Sequence, residues 1–211
     1  MLPDGDEAAA QNVQTNLDAF VVQQKQLIAS FKSPVNLNLL NEQHEIIKQY
    51  QSALVTMRNA YVESEVSRDA MAQYSNVARD AMDLLKSRVM QSSASEQDRF
   101  EQLETLTTVR EKFLVARYQV RAYIAAQTTA NEQAARQQLN EAIASLTALN
   151  TYFVASAPET LRTLDDALAH YQHALQVYAD TDKTITDMRK EMTDYGSGIL
   201  NRSDALYTIQ L

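Results

Sequence analysis

The stretch Leu40–Leu85 reads LNEQHEIIKQYQSALVTMRNAYVESEVSRDAMAQYSNVARDAMDLL, and Leu161–Leu206 reads LRTLDDALAHYQHALQVYADTDKTITDMRKEMTDYGSGILNRSDAL. Laid one on the other, they match at Leu40/Leu161, Tyr50/Tyr171, Gln51/Gln172, Ala53/Ala174, Leu54/Leu175, Arg68/Arg189, Met71/Met192, Tyr74/Tyr195, Asp83/Asp204 and Leu85/Leu206. The matches share one heptad frame, which marks an internal duplication. In the second copy Leu161, Leu168, Leu175, Asp182 and Arg189 share one seam position, and Leu164, Tyr171, Tyr178, Ile185 and Met192 share the other. Apolar spacing near 3.5 residues over such a length predicts long helices packed in a bundle. Arg189 and Arg68 stand in that seam where core residues belong, and a charge placed there needs a partner.

Composition agrees with an all-α chain. Its 211 residues include three glycines, three prolines, no tryptophan and no cysteine. A net charge of −8 argues against nucleic-acid binding, which needs a basic stripe to neutralise phosphates. Without cysteine there is no disulfide framework, thiol nucleophile or thiolate metal site. No apolar run reaches the roughly eighteen residues of a membrane span, and MLPDGDEAAA is not a signal peptide. Nucleophile elbow, phosphate loop and zinc signature are all missing, so no enzyme and no cofactor are expected.

Taken in order, a first helix is expected from about Glu7 to Lys32, ended by Ser33 and Pro34. A long helix follows from near Asn38 to about Ser93. Ser95 and Asp98, spaced like a capping box, open a third helix that runs to about Thr128. Thr129 and Glu132 open a fourth, and Ser156 and Pro158 precede the last. Helices of about 26, 56, 34, 26 and 53 residues measure roughly 39, 84, 51, 39 and 80 Å. Two are about twice as long as the rest, which suggests two stacked four-helix bundles sharing two long helices in a rod roughly 80 Å long. The first repeat has no counterpart to the opening helix of the second. That helix is absent from this chain, disordered, or replaced by a partner subunit.

If both long helices run toward the same end, Arg189, Arg117 and Arg68 lie roughly 33–39 Å from that end and converge. Converging guanidinium groups make a fork-shaped site for a carboxylate, each donating two parallel hydrogen bonds. The competing reading is a set of structural ion pairs with Asp69, Asp182, Asp187 or Glu191. His170 and His173, three apart on the last helix, could hold a metal only with a third ligand; solvated helix surface is their default. Gly196 and Gly198 interrupt the last helix beyond Arg189 and point to close packing or a bend.

The runs TLTTVREKFLVARYQVRAYI at Thr105–Ile124, ALAHYQHAL at Ala167–Leu175 with its partner IIKQYQSAL at Ile46–Leu54, and MTDYGSGILNRSDAL at Met192–Leu206 resemble the helical bimodular sensor domain of bacterial chemoreceptors. The resemblance covers the chain from about residue 10 to the end. It implies a periplasmic domain between two membrane helices, tethered as a homodimer and sensing small organic acids such as tricarboxylic-acid-cycle intermediates. Acetate is sometimes bound in the other module. Its acid-binding arginines match Arg117 and Arg189, with Arg110 and Arg121 as further candidates. The expected modules are a membrane-distal bundle of residues 7–66 and 131–184 and a membrane-proximal bundle of residues 67–128 and 185–211. A histidine-kinase input domain, a ligand-free scaffold and a coiled-coil interaction protein are the alternatives.

Overall fold

The computed structural model describes residues 4–210, with side chains described for residues 8–209. The fold is all-α: α1 spans Asp4–Ser30, α2 Pro34–Gln91, α3 Glu96–Ala125, α4 Thr129–Ser145, α5 Thr147–Phe153 and α6 Pro158–Gln210. α2 starts earlier than its sequence suggests because Pro34 lacks only an N–H that the first turn leaves unpaired anyway. Ser95 caps α3 by accepting from the Asp98 N–H at 3.1 Å while its hydroxyl donates to the Asp98 carboxylate at 2.7 Å. Thr128, one residue before the expected cap, closes α4 by accepting from the Asn131 N–H. The expected single fourth helix is interrupted at Leu146, whose N–H bonds back three residues to Ile143 while the Ser145 hydroxyl bonds to the Ala142 carbonyl.

The chain forms two units, the first of Met1–Glu65 with Asp180–Leu211 and the second of Val66–Ala179. Both long helices contribute to both units, as the sequence suggests. The expected division is otherwise corrected, since residues 131–179 belong with residues 66–125. Short turns dictate this: only four residues separate α2 from α3, and α4 packs back along α3. α6 then starts where α2 ends, with Arg88 of α2 donating to the Ser156 carbonyl just before α6 at 3.0 Å. In each unit α2 and α6 therefore run antiparallel: Tyr74 stacks on His170 in the second, and Gln43 bonds to the Ile199 carbonyl in the first.

The second unit holds four helical layers from α2, α3, α4–α5 and α6 around Phe113, Tyr123, Phe153, Leu139, Leu164 and Leu168, all at most 2% exposed. Alanines 78, 116, 135, 142 and 167 are buried between them, and their small side chains let helix axes approach closely. The Phe113 and Tyr171 rings meet edge to face at 5.6 Å, as do those of Tyr123 and Tyr178. Burial pushes the Tyr171 hydroxyl up to about 12, an effect partly offset by the charges of Arg117 and Arg121.

The first unit packs α1 against the N-terminal part of α2 and the C-terminal part of α6, burying Leu40, Ile47, Leu54 and Ile185. A buried amide network ties its three helices together. Gln24 of α1 donates to the Leu40 carbonyl at 3.2 Å and to the Gln43 side-chain oxygen at 2.9 Å. Gln43 of α2 donates in turn to the Ile199 carbonyl at 3.1 Å and to the Ser203 hydroxyl of α6 at 2.6 Å. His44 Nδ1 donates to the remaining Gln24 oxygen at 3.0 Å, so every amide atom of Gln24 is used. Gln43→Ala leaves a buried Gln24 N–H unpaired and opens a cavity, and is expected to cost about 1–3 kcal/mol in urea denaturation.

The two late glycines differ. A methyl at Gly198 would meet Ile46 Cδ1 at 3.3 Å, so this glycine lets α6 lie close to α2. A methyl at Gly196 would meet no described atom of a neighbouring element within 4 Å, and α6 continues unbroken through both. Gly196→Ala is therefore expected to gain about 0.5–1 kcal/mol from helix propensity alone, measurable as a raised urea midpoint.

Candidate functional site

The charged seam residues separate into different surroundings. Arg189, on an exposed position of α6, donates to the Tyr61 hydroxyl of α2, and its guanidinium carbon lies 5.8 Å from the Tyr61 ring centroid. No described carboxylate forms an ion pair with it. Three residues before Tyr61 stands Arg58, and both arginines line one half-open cavity of about 270 Å³ together with Tyr61. Ala9, Val13, Leu54, Met57 and Met192 supply its apolar wall. All of these residues belong to the first unit.

Arg117 and Arg121, four apart on α3, belong to the second unit. Arg117 is half-buried with its guanidinium carbon 5.9 Å from the Phe113 ring centroid, Arg121 is exposed, and both charges act on the Tyr171 hydroxyl. Neither forms an ion pair with a described acid. Arg110 does, binding Asp83 of α2. Arg68, also in the second unit, is exposed and engaged in further interactions. Arg189 thus belongs to the first unit and Arg68 and Arg117 to the second, and Ser95, expected at the end where α6 finishes, lies near the start of α6.

Arg58 and Tyr61 were not among the sequence candidates. Their signal is positional: Leu54, Arg58 and Tyr61 follow one another at four and three residues, which places a cation in an apolar stripe of α2. The histidines go elsewhere. His170 stacks on Tyr74 with ring centroids 4.7 Å apart and donates from Nδ1 to the Asp166 carbonyl, while His173 lines a groove with Arg136, Asn140 and Gln176. No group of three metal-ligating side chains occurs among the described residues.

A cavity that gathers two arginines and a tyrosine hydroxyl offers charge and hydrogen-bond donors to an anion. The sequence of residues 1–211 matches the model of the helical bimodular sensor domain family. The chain belongs to that family. Methyl-accepting chemotaxis protein McpS of Pseudomonas putida is 38% identical to this sensor domain over 211 residues, covering 100% of the chain and 33% of McpS. Methyl-accepting chemotaxis protein McpQ of the same organism is 22% identical over 205 residues, 97% of the chain and 31% of McpQ. The sensor domain thus spans about a third of the length of these relatives. Among the described residues, none of its helices is long and apolar enough to cross a membrane.

Proposed function

We propose that the chain is the ligand-sensing part of a methyl-accepting chemotaxis receptor and that it binds small organic acids, di- and tricarboxylates such as tricarboxylic-acid-cycle intermediates among them. One observation carries this reading. Arg189 has no ion pair with a described carboxylate, yet it shares a cavity with Arg58 and the Tyr61 hydroxyl. An arginine kept to balance a structural acid behaves as Arg110 does with Asp83. A volume of about 270 Å³ falls just below the range of about 300–1,000 Å³ typical for drug-sized ligands, which suits a compact acid.

Signalling requires that the acid bind two conformations of the domain unequally. α6 is the proposed carrier because it presents Arg189 to the cavity and continues as one helix to Gln210. Its hydrogen bonds from Gln43 to Ile199 and Ser203 lie further along the same path, where a small axial or rotational shift breaks or remakes them. In this proposal the domain is periplasmic and works as a homodimer tethered by membrane segments outside the chain. On the same reading the first unit, which holds Arg189, is the membrane-proximal one. A second carboxylate point at Arg117 and Arg121 is favoured by one observation, two like charges four residues apart with no described acid paired to either. The test is a thermal-shift screen of organic acids on the wild-type chain beside Arg189→Ala, with Arg110→Ala as the control expected to keep the shift.

A further inference from the structure

Among the described residues the cavity is polar on one side only. Its donors, Arg58, Tyr61 and Arg189, come from α2 and α6, whereas α1 contributes Ala9, Ala10 and Val13. Leu54, Met57 and Met192 complete an apolar wall, and no serine, threonine, asparagine, glutamine or acid lines it among the described residues. The Tyr61 hydroxyl is already engaged by Arg189. A carboxylate can therefore be held at the α2–α6 side, but a hydroxyl turned to the apolar wall meets no partner among the described residues to replace the water it loses.

Resting on the reading of this cavity as the acid site, we propose that it selects acids with a hydrocarbon body over hydroxylated acids of the same length. The two methionines are unbranched and polarizable, so the wall adapts to an added methylene better than a branched wall does. Met192 is the specificity-determining residue in this account: it lies three residues beyond Arg189 on α6, beside the group that fixes the carboxylate. A methylene added to the ligand tightens binding, and a hydroxyl added at constant length weakens it.

Calorimetric titrations with succinate, glutarate and malate, each on the whole 211-residue chain, test this. Glutarate is expected to bind more tightly than succinate, and malate about tenfold more weakly, the scale on which apolar pockets discriminate small groups. Met192→Gln, which places an amide in the wall, is expected to narrow the gap between succinate and malate. Malate binding as tightly as succinate or more so, or an unchanged gap in Met192→Gln, overturns the selectivity while leaving the acid site in place. Arg189→Ala separates the two claims: loss of all three acids upholds the site. Persistent binding in Arg189→Ala, or no binding of any acid to the wild type, removes the site and the selectivity together.

Discussion

Arg189→Ala is expected to abolish the thermal stabilisation that a bound acid confers while leaving the unliganded domain almost as stable as before. At 100 times its dissociation constant a ligand stabilises the folded state by about 2.7 kcal/mol, or roughly 5–11 °C in Tm for a chain of this size. The substitution removes the guanidinium that meets the carboxylate, so this shift vanishes. Without ligand it loses one hydrogen bond to Tyr61 and an exposed cation–π contact, together about 1 kcal/mol. A structural ion pair at this exposed position predicts instead a loss of at most about 1 kcal/mol, with the acid-induced shift retained. Comparing Tm of wild type and Arg189→Ala, with and without saturating acid, separates the two readings.

Phe113→Ala is expected to lower stability by about 3–5 kcal/mol, the range for truncating a buried aromatic. The ring is 2% exposed, lies edge to face against Tyr171 and sits beneath the Arg117 guanidinium, so truncation leaves a cavity among four helical layers with little room to collapse. At 2–4 °C per kcal/mol the second unit is expected to melt roughly 6–20 °C lower. Phe100→Ala on the same helix is the control: its ring is 62% exposed, and the change is expected to fall within about 0.5 kcal/mol. Equal losses for the two substitutions, read from urea midpoints, contradict this account of the core.

The long helices were legible because a seam repeat is a local property: Leu40, Ile47 and Leu54, then Leu161, Leu168 and Leu175, recur at heptad spacing and are all buried. Direction was not legible in the same way. Two helices of similar sequence can lie parallel or antiparallel, and the repeat paired Arg68 with Arg189 although the two fall in different units. The deciding signal was the run of short turns at residues 92–95 and 126–128, which fold α3 and α4 back before α6 begins. The Gln24–Gln43 network was hidden because glutamine reads as surface. Gln43 nevertheless lies three residues after Leu40 and four before Ile47, on the buried face of α2. Arg58 carries no repeat signal, since its counterpart in the second copy is Ala179, whereas a cavity is assembled from neighbours on different helices.

The central claim is that a small acid is held in the first unit by Arg189. A crystal structure of the chain with succinate tests it most directly. The account predicts a carboxylate within hydrogen-bonding distance of the Arg189 guanidinium, inside the cavity shared with Arg58 and Tyr61 and with the methylenes against Met57 and Met192. Succinate bound at Arg117 and Arg121 in the second unit, with that cavity left empty, would contradict it.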